Sequence, residues 1–388
     1  MRRAPLLVAL FLAATALRPQ LVGVGPLLPS IQEDLGVAHA VAGLLGTIPV
    51  LCMGLFAPPA PFLSGRIGSR HAVAAALGLV GVFGIARAVV PGAAGVVLLT
   101  FPVGMGMGLA GAMLPVAVKE RFADRPGFAT GIYTTGITIG SAVAAAVAVP
   151  VAHAAGGWRT PLVLFSAVAA VLAALWMWLT REEPPHVRTD LRPLRLPLRD
   201  PLAWRLVAAF FLMSFVFYGL NSWLPDVYVE RGWRESSAGE LLAVLNTVTI
   251  PCGLVVAWAA DRWGTRRLWL GGAALVQLAG LLGIVLLPGA GWVWAVLVGV
   301  AIGPLFPLTM TLPLDAAERP AEVAALAGMM LGVGYTLSAT SPLLLGAVRD
   351  LAGGFDAVLW VLVAAGTLLA LVEWSFSPGR LGTARSFA

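Results

Sequence analysis

The chain has 388 residues, 59% of them hydrophobic and only 11% charged, and its mean hydropathy is +0.90. A soluble protein carries about 25% charged residues, so this chain cannot cover its own surface with polar groups, and soluble enzymes, nucleic-acid binders and disordered scaffolds are excluded. The net charge of +6 reads instead as basic residues gathered on one side of a membrane.

A helix needs about 20 apolar residues to cross the hydrocarbon core. Twelve runs of that kind predict an all-α membrane protein with spans at 5–28, 39–62, 72–91, 95–118, 128–150, 160–180, 206–225, 241–260, 268–288, 292–314, 323–347 and 357–376. The breaks between them are short and carry turn residues or charge, as in Pro91-Gly92 and Gly156-Gly157-Trp158-Arg159. Cys52 and Cys252 both fall in apolar runs, which gives no disulfide framework and no metal site, and nothing in the chain calls for a cofactor. With the N-terminus placed in the cytoplasm, 19 of the 25 basic residues fall in inner segments, 4 in outer ones and 2 within spans. The bias predicts that both ends are cytoplasmic, in a bacterial-type inner membrane. Met1 to Arg18 imitates a secretory signal, but its removal would reverse this pattern for every later span.

The most polar stretch, 181–205, contains five prolines and six arginines and reads as a cytoplasmic linker between two six-helix halves, 1–180 and 206–388. The halves align at an offset of 196: Pro29 with Pro225, Gly36 with Gly232, Gly43 with Gly239, Arg66 with Arg262, Gly68 with Gly264 and Arg70 with Arg266. Parallel six-helix repeats are a transporter architecture, with the substrate site between the halves. After span 8 the sequence Asp261-Arg262-Trp263-Gly264-Thr265-Arg266-Arg267 sets a carboxylate among guanidinium groups, and the equivalent segment after span 2 keeps Arg66 and Arg70 but has Gly65 in place of the acid. Arg66, Arg70, Asp261, Arg262 and Arg266 are the expected gating residues, able to pair in one conformation and separate in another.

Within the spans the sequence places two arginines, Arg18 and Arg87, and no carboxylate; Glu373 is expected near a span end, and the four histidines fall at span ends or in loops. A buried arginine costs about 2.5–3.5 kcal/mol to insert, so it persists where it faces a cavity or a partner. Pro19, following Arg18, predicts a broken first helix. Two roles are open to Arg18: binding a substrate, or bonding to carbonyls of neighbouring helices. Arg87 could instead snorkel to the interface. Cations without embedded acids suit an anionic small molecule, and a guanidinium fork suits a planar oxyanion. Tyr133, Tyr218, Asn221, Asn246 and Tyr335 complete the candidate substrate-binding set, with interhelical hydrogen bonding as their alternative role. The stripe Thr130, Thr134, Thr138 and Ser141 reads as interhelical bonding. Gly104, Gly108, Gly111 and Pro115 share one face of span 4 and read as a packing surface, since no strand precedes the Gly104-x-Gly106-x-Gly108 run.

Several motifs together resemble the cyanate/2-nitroimidazole transporter family, a branch of the major facilitator superfamily. They are Leu17-Arg18-Pro19 with Gly25-Pro26-Leu27-Leu28-Pro29, Gly84-Ile85-Ala86-Arg87, Leu114-Pro115 with Lys119, Gly131-Ile132-Tyr133, Trp223-Leu224-Pro225, and Phe306-Pro307-Leu308 through Asp315. The D-R-x-G-R-R-like loop after span 8 is also a signature of that superfamily. The resemblance implies the superfamily fold and a monomeric secondary transporter, not an enzyme, working by alternating access on small anions or small nitrogen-bearing aromatics. Members often carry an amide four residues before the span 4 proline, where this chain has Gly111. The expected cargo is a cyanate-like or small carboxylate anion; export of neutral aromatic compounds is the alternative, suggested by Tyr218 and Trp223.

Overall fold

The computed structural model describes residues 3–122, 126–181, 196–263, 266–317 and 320–376. Among them there are helices and turns and no strand. Span 1 is built from three pieces, α1 (Arg3–Thr15), α2 (Pro19–Val22) and α3 (Leu28–Leu35), with a 3-10 turn at Gly25–Leu27 before α3. Spans 2 to 6 are α4 (His39–Phe56), α5 (Ala60–Val89), α6 (Ala93–Arg121), α7 (Pro126–Ala155) and α8 (Arg159–Leu179). Spans 7 to 10 are α9 (Pro201–Glu230), α10 (Glu235–Trp263), α11 (Arg266–Leu286) and α12 (Gly291–Ala316). Span 11 is split at Ala339 into α13 (Pro320–Ser338) and α14 (Thr340–Ala352), and span 12 is α15 (Asp356–Ser375). Eleven spans meet the length and hydropathy needed to cross a membrane among the described residues. The twelfth, α10, has 29 residues and packs between α7 and α12.

Several helices outrun their apolar windows, because hydropathy marks only the part in hydrocarbon. At the start of α9, Pro201 takes the first helical position and Asp200 Oδ1 accepts a hydrogen bond from the Leu202 N–H at 2.9 Å. Residues 201–205 are therefore helix, not linker; residues 182–195 lie outside the described residues. Helix α5 breaks at Gly68 (φ 80°, ψ 147°), a backbone conformation open to glycine.

The repeat reappears in three dimensions. Gly36 and Gly232, matched in sequence, both leave their helices in positive φ (61° and 87°). Asp34 closes span 1 onto the start of span 6, accepting from Arg159 at 2.6 Å and the Trp158 indole at 3.1 Å. At the same place in the second half Glu230 accepts from Arg349 at 2.8 Å and from the Phe355 backbone N–H at 3.3 Å.

The spans 1–6 half and the spans 7–12 half meet along α7 against α10 and along α4 against α13 and α14. We call the end with the 2–3 and 8–9 connections the basic end, and the opposite one the far end. At the far end the seam is closed by backbone touching backbone: a Cβ on Gly43 would stand 2.5 Å from the Pro342 carbonyl oxygen, and one on Gly25 would collide with that of Asn221. Span 4 uses glycine as expected within its half, since a Cβ on Gly104 or Gly108 would come within 2.7 Å of Pro49 or 2.6 Å of the Cys52 carbonyl.

Candidate functional site

Pro19 has no N–H and cannot continue α1, so the first span stops at Thr15 and restarts after Arg18. The Arg18 carbonyl is not orphaned, because the Leu21 and Val22 N–H groups donate to it at 3.0 and 2.9 Å. This break turns the Arg18 side chain across the seam. Its Nη1 donates to the Tyr218 hydroxyl on α9 at 2.7 Å, and the guanidinium lies 5.6 Å from the centroid of the same ring. Tyr335 on α13 faces the pair, with its ring 6.4 Å from that of Tyr218. Phe210 stands edge-on to Tyr335 at 4.7 Å, and Phe306 lies 6.5 Å beyond Phe210. Arg18 is 9% exposed and Tyr335 8%. Among the described residues no carboxylate pairs with Arg18; its partners are neutral hydroxyls and a π face.

Arg87, by contrast, does not reach this cluster. It is 1% exposed inside the first half, where it donates to Gln20 Oε1 at 2.5 Å and to Thr100 Oγ1 at 3.3 Å. Gln20 in turn donates to Ser166 Oγ at 2.6 Å and to the Leu162 carbonyl at 3.2 Å. The network ties spans 1, 3, 4 and 6 together, and there is no snorkelling to an interface. Sequence could place both arginines at membrane depth but could not see that Gln20, two residues after Arg18, points the other way.

Asn221 and Asn246 are brought together, with Asn246 Nδ2 donating to Asn221 Oδ1 at 3.1 Å. Each also bonds the backbone of its own helix, at the Phe217 and Leu242 carbonyls. They bridge spans 7 and 8 one turn beyond Tyr218. Tyr133 is half-buried on α7 against the shared core. Thr138 and Ser141 donate to carbonyls four residues back in their own helix, so the bonds of these two are intrahelical and not the interhelical ones expected of the stripe. At Gly111, where the family resemblance implies an amide, an added Cβ would meet nothing within 4 Å. That space is open on span 4.

Among the expected gating residues, Arg66 is exposed. Arg70 caps span 6 of its own half, donating to the Met177 carbonyl at 3.0 Å, while the Trp176 indole donates to the Arg70 carbonyl at 2.9 Å. The side chains of Asp261, Arg262 and Arg266 lie outside the described residues.

One expectation is corrected. The sequence suggests spans free of carboxylates, yet Glu373 is fully buried in α15 with no hydrogen bond among the described residues, and Asp226 in α9 is 7% exposed. Both sit close to a span end in sequence; α15 continues to Ser375 and α9 to Glu230, so neighbouring helices cover them. Neither carboxylate approaches Arg18.

The Major Facilitator Superfamily model matches residues 6–339. The chain is similar to the cyanate transport protein CynX of Escherichia coli (strain K12), with 30% identity over 97% of this chain and 98% of that protein. It is also similar to the 2-nitroimidazole transporter of the same organism, at 28% identity over 95% and 94%. Among solved structures, a D-xylose-proton symporter superposes with a TM-score of 0.75 at 16% identity, covering 97% of this chain and 98% of that one, which speaks to the fold.

Proposed function

Because the chain belongs to the Major Facilitator Superfamily, in its cyanate/2-nitroimidazole branch, we propose that it carries a small anion across the bacterial inner membrane, with Arg18 as the charge that receives it. The observation that carries this reading is a buried guanidinium at a helix break between the halves, held by a tyrosine hydroxyl and, among the described residues, paired with no carboxylate. A neutral hydroxyl leaves the charge of a desolvated guanidinium uncompensated, whereas an oxyanion both accepts from its planar fork and neutralises it. An arriving anion displaces Tyr218 from Arg18 and neutralises the site, which lowers the cost of closing the halves around it. The halves then rock about the site and open it alternately to each side. The protein acts as a monomer, with the basic end and both termini in the cytoplasm and the loops of the basic end forming its gate.

The test is binding of a panel of labelled small anions, cyanate and short carboxylates among them, to the purified protein. Arg18→Ala is expected to weaken binding at least about tenfold, equivalent to about 1.4 kcal/mol. Arg18→Lys restores only part of it, because an ammonium lacks the planar fork. Unchanged binding in Arg18→Ala overturns the reading.

A second reading, transport of a neutral nitroaromatic, is favoured by the ring series Tyr218, Tyr335, Phe210 and Phe306 beside the same arginine. It predicts the opposite pattern: 2-nitroimidazole transport that survives Arg18→Ala and is lost in Tyr335→Ala.

A further inference from the structure

At the far end, away from Arg18, the first half presents His39 to a group of carboxylates on the second. His39 Nδ1 lies 2.9 Å from Asp350 Oδ1, and Nε2 lies 3.8 Å from Asp226 Oδ2. Both ring nitrogens therefore face carboxylate oxygens. A neutral imidazole has one N–H and one lone pair, so one nitrogen would set its lone pair against an anion; the imidazolium donates from both. Asp350 is fixed independently of that proton, since its two oxygens also accept from the His39 and Ala40 backbone N–H groups at 3.2 and 2.8 Å. It caps the start of α4 from the opposite half.

The groups facing this ring from each neighbouring element leave it short of positive charge. Span 7 contributes Asp226 and Glu230, and span 11 contributes Asp350 and Arg349, the one permanent cation beside the ring among the described residues, which pairs with Glu230 at 2.8 Å. Span 1 offers the neutral Gln32, donating to Asp226 at 3.4 Å. The Trp223 and Phe355 rings flank the imidazole at 5.6 and 5.8 Å. Three carboxylates and one arginine make this side of the seam net negative before His39 takes a proton. A second histidine, His153, meets Glu235 across the seam at 3.4 Å, but it is largely exposed and contributes little.

We infer that His39, Asp226 and Asp350 form a proton-binding site between the two halves, filled when the far end closes and emptied when it opens. Closure takes one proton from water onto the imidazole and opening returns it, so acid at the far face favours the state closed at that face. This goes beyond the cargo assignment and does not depend on it: loss of anion binding in Arg18→Ala would leave the gate's pH response unchanged.

The experiment places spin labels at Ala155→Cys and Ala352→Cys, exposed far-end positions on opposite halves, in full-length protein with Cys52→Ala and Cys252→Ala. The protein is reconstituted in liposomes, and label distances are measured by pulsed electron paramagnetic resonance. Going from about pH 8 to about pH 5.5, the ratio of the short-distance to the long-distance population is expected to rise at least about threefold. His39→Gln abolishes the response, and His39→Arg, with a permanent charge, holds the short distance at both pH values. His153→Gln keeps the response. A pH-independent distribution in the starting protein, or a full response surviving in His39→Gln, overturns the proposal.

Discussion

Arg18 and Arg87 are chemically the same side chain in two unlike settings. Arg87 is enclosed by Gln20 and Thr100 within one half, and its loss strands partners already removed from water. Arg87→Met is therefore expected to destabilise the purified protein by about 1–3 kcal/mol, the cost of leaving buried polar groups unpaired. Thermal unfolding would register this as a lower transition temperature, with anion affinity in the surviving folded protein unchanged. If affinity falls instead and stability holds, Arg87 is a binding residue and its network has been misread. Arg18 differs, because its partner Tyr218 belongs to the opposite half, so in the proposed rocking motion this is the pair that parts. Sequence identifies both positions as buried cations, since only depth and hydropathy are needed for that. Which of them joins two moving bodies depends on a helix break and a rotation that residue types do not encode locally.

At the scale of elements, glycine and proline set how closely helices approach and where they stop. The face of span 4 read as a packing surface does pack: Gly104 and Gly108 lie against Pro49 and Cys52 of span 2. Gly108→Val should cost about 1–3 kcal/mol by overpacking. Chemical denaturation of the protein in detergent would show the loss, and an unchanged midpoint would mean spans 2 and 4 are not in backbone contact there. Gly111, one turn further on, faces open space, so Gly111→Asn should be tolerated in the same assay. The two glycines are indistinguishable in sequence because both lie on the same stripe; only the path of span 2 decides which one is covered. The break at Arg18-Pro19 was legible in advance because proline removes a donor wherever it stands. The split at Ala339 in span 11 carries no such mark, and Pro342, three residues on, is the nearest hint.

At the scale of the whole molecule, transport requires the far-end seam to open. Pro26 of the first half and Gly239 of the second come close enough that a Cβ on Gly239 would lie 3.5 Å from the Pro26 Cβ, within the separation a disulfide spans, about 3.5–4.5 Å. Pro26→Cys with Gly239→Cys, oxidised in a background lacking Cys52 and Cys252, is expected to stop transport, and reduction to restore it. Transport continuing through a fully formed cross-link would mean these halves do not separate at that end. Orientation is testable independently. Ala155→Cys at the far end should react with a membrane-impermeant maleimide added to intact cells, and protection there would invert the proposed topology.

Residue types alone settle the membrane environment, the all-helical class and the burial of two arginines. Each of these depends on composition or on spacing along one chain, and hydrocarbon tolerates few alternatives. Tertiary structure decided what lies across the seam. Tyr218 against Arg18, Asp350 capping α4, and His39 between two carboxylates all join residues from different halves. Their partners are about 190 to 310 positions apart, and no local pattern specifies which ends of two six-helix bodies will touch. Hydropathy also hid Glu373 and Asp226, because a carboxylate near a span end looks solvated until neighbouring helices are seen to cover it. Local physics fixed the pieces, and their packing determined which charges had to find each other.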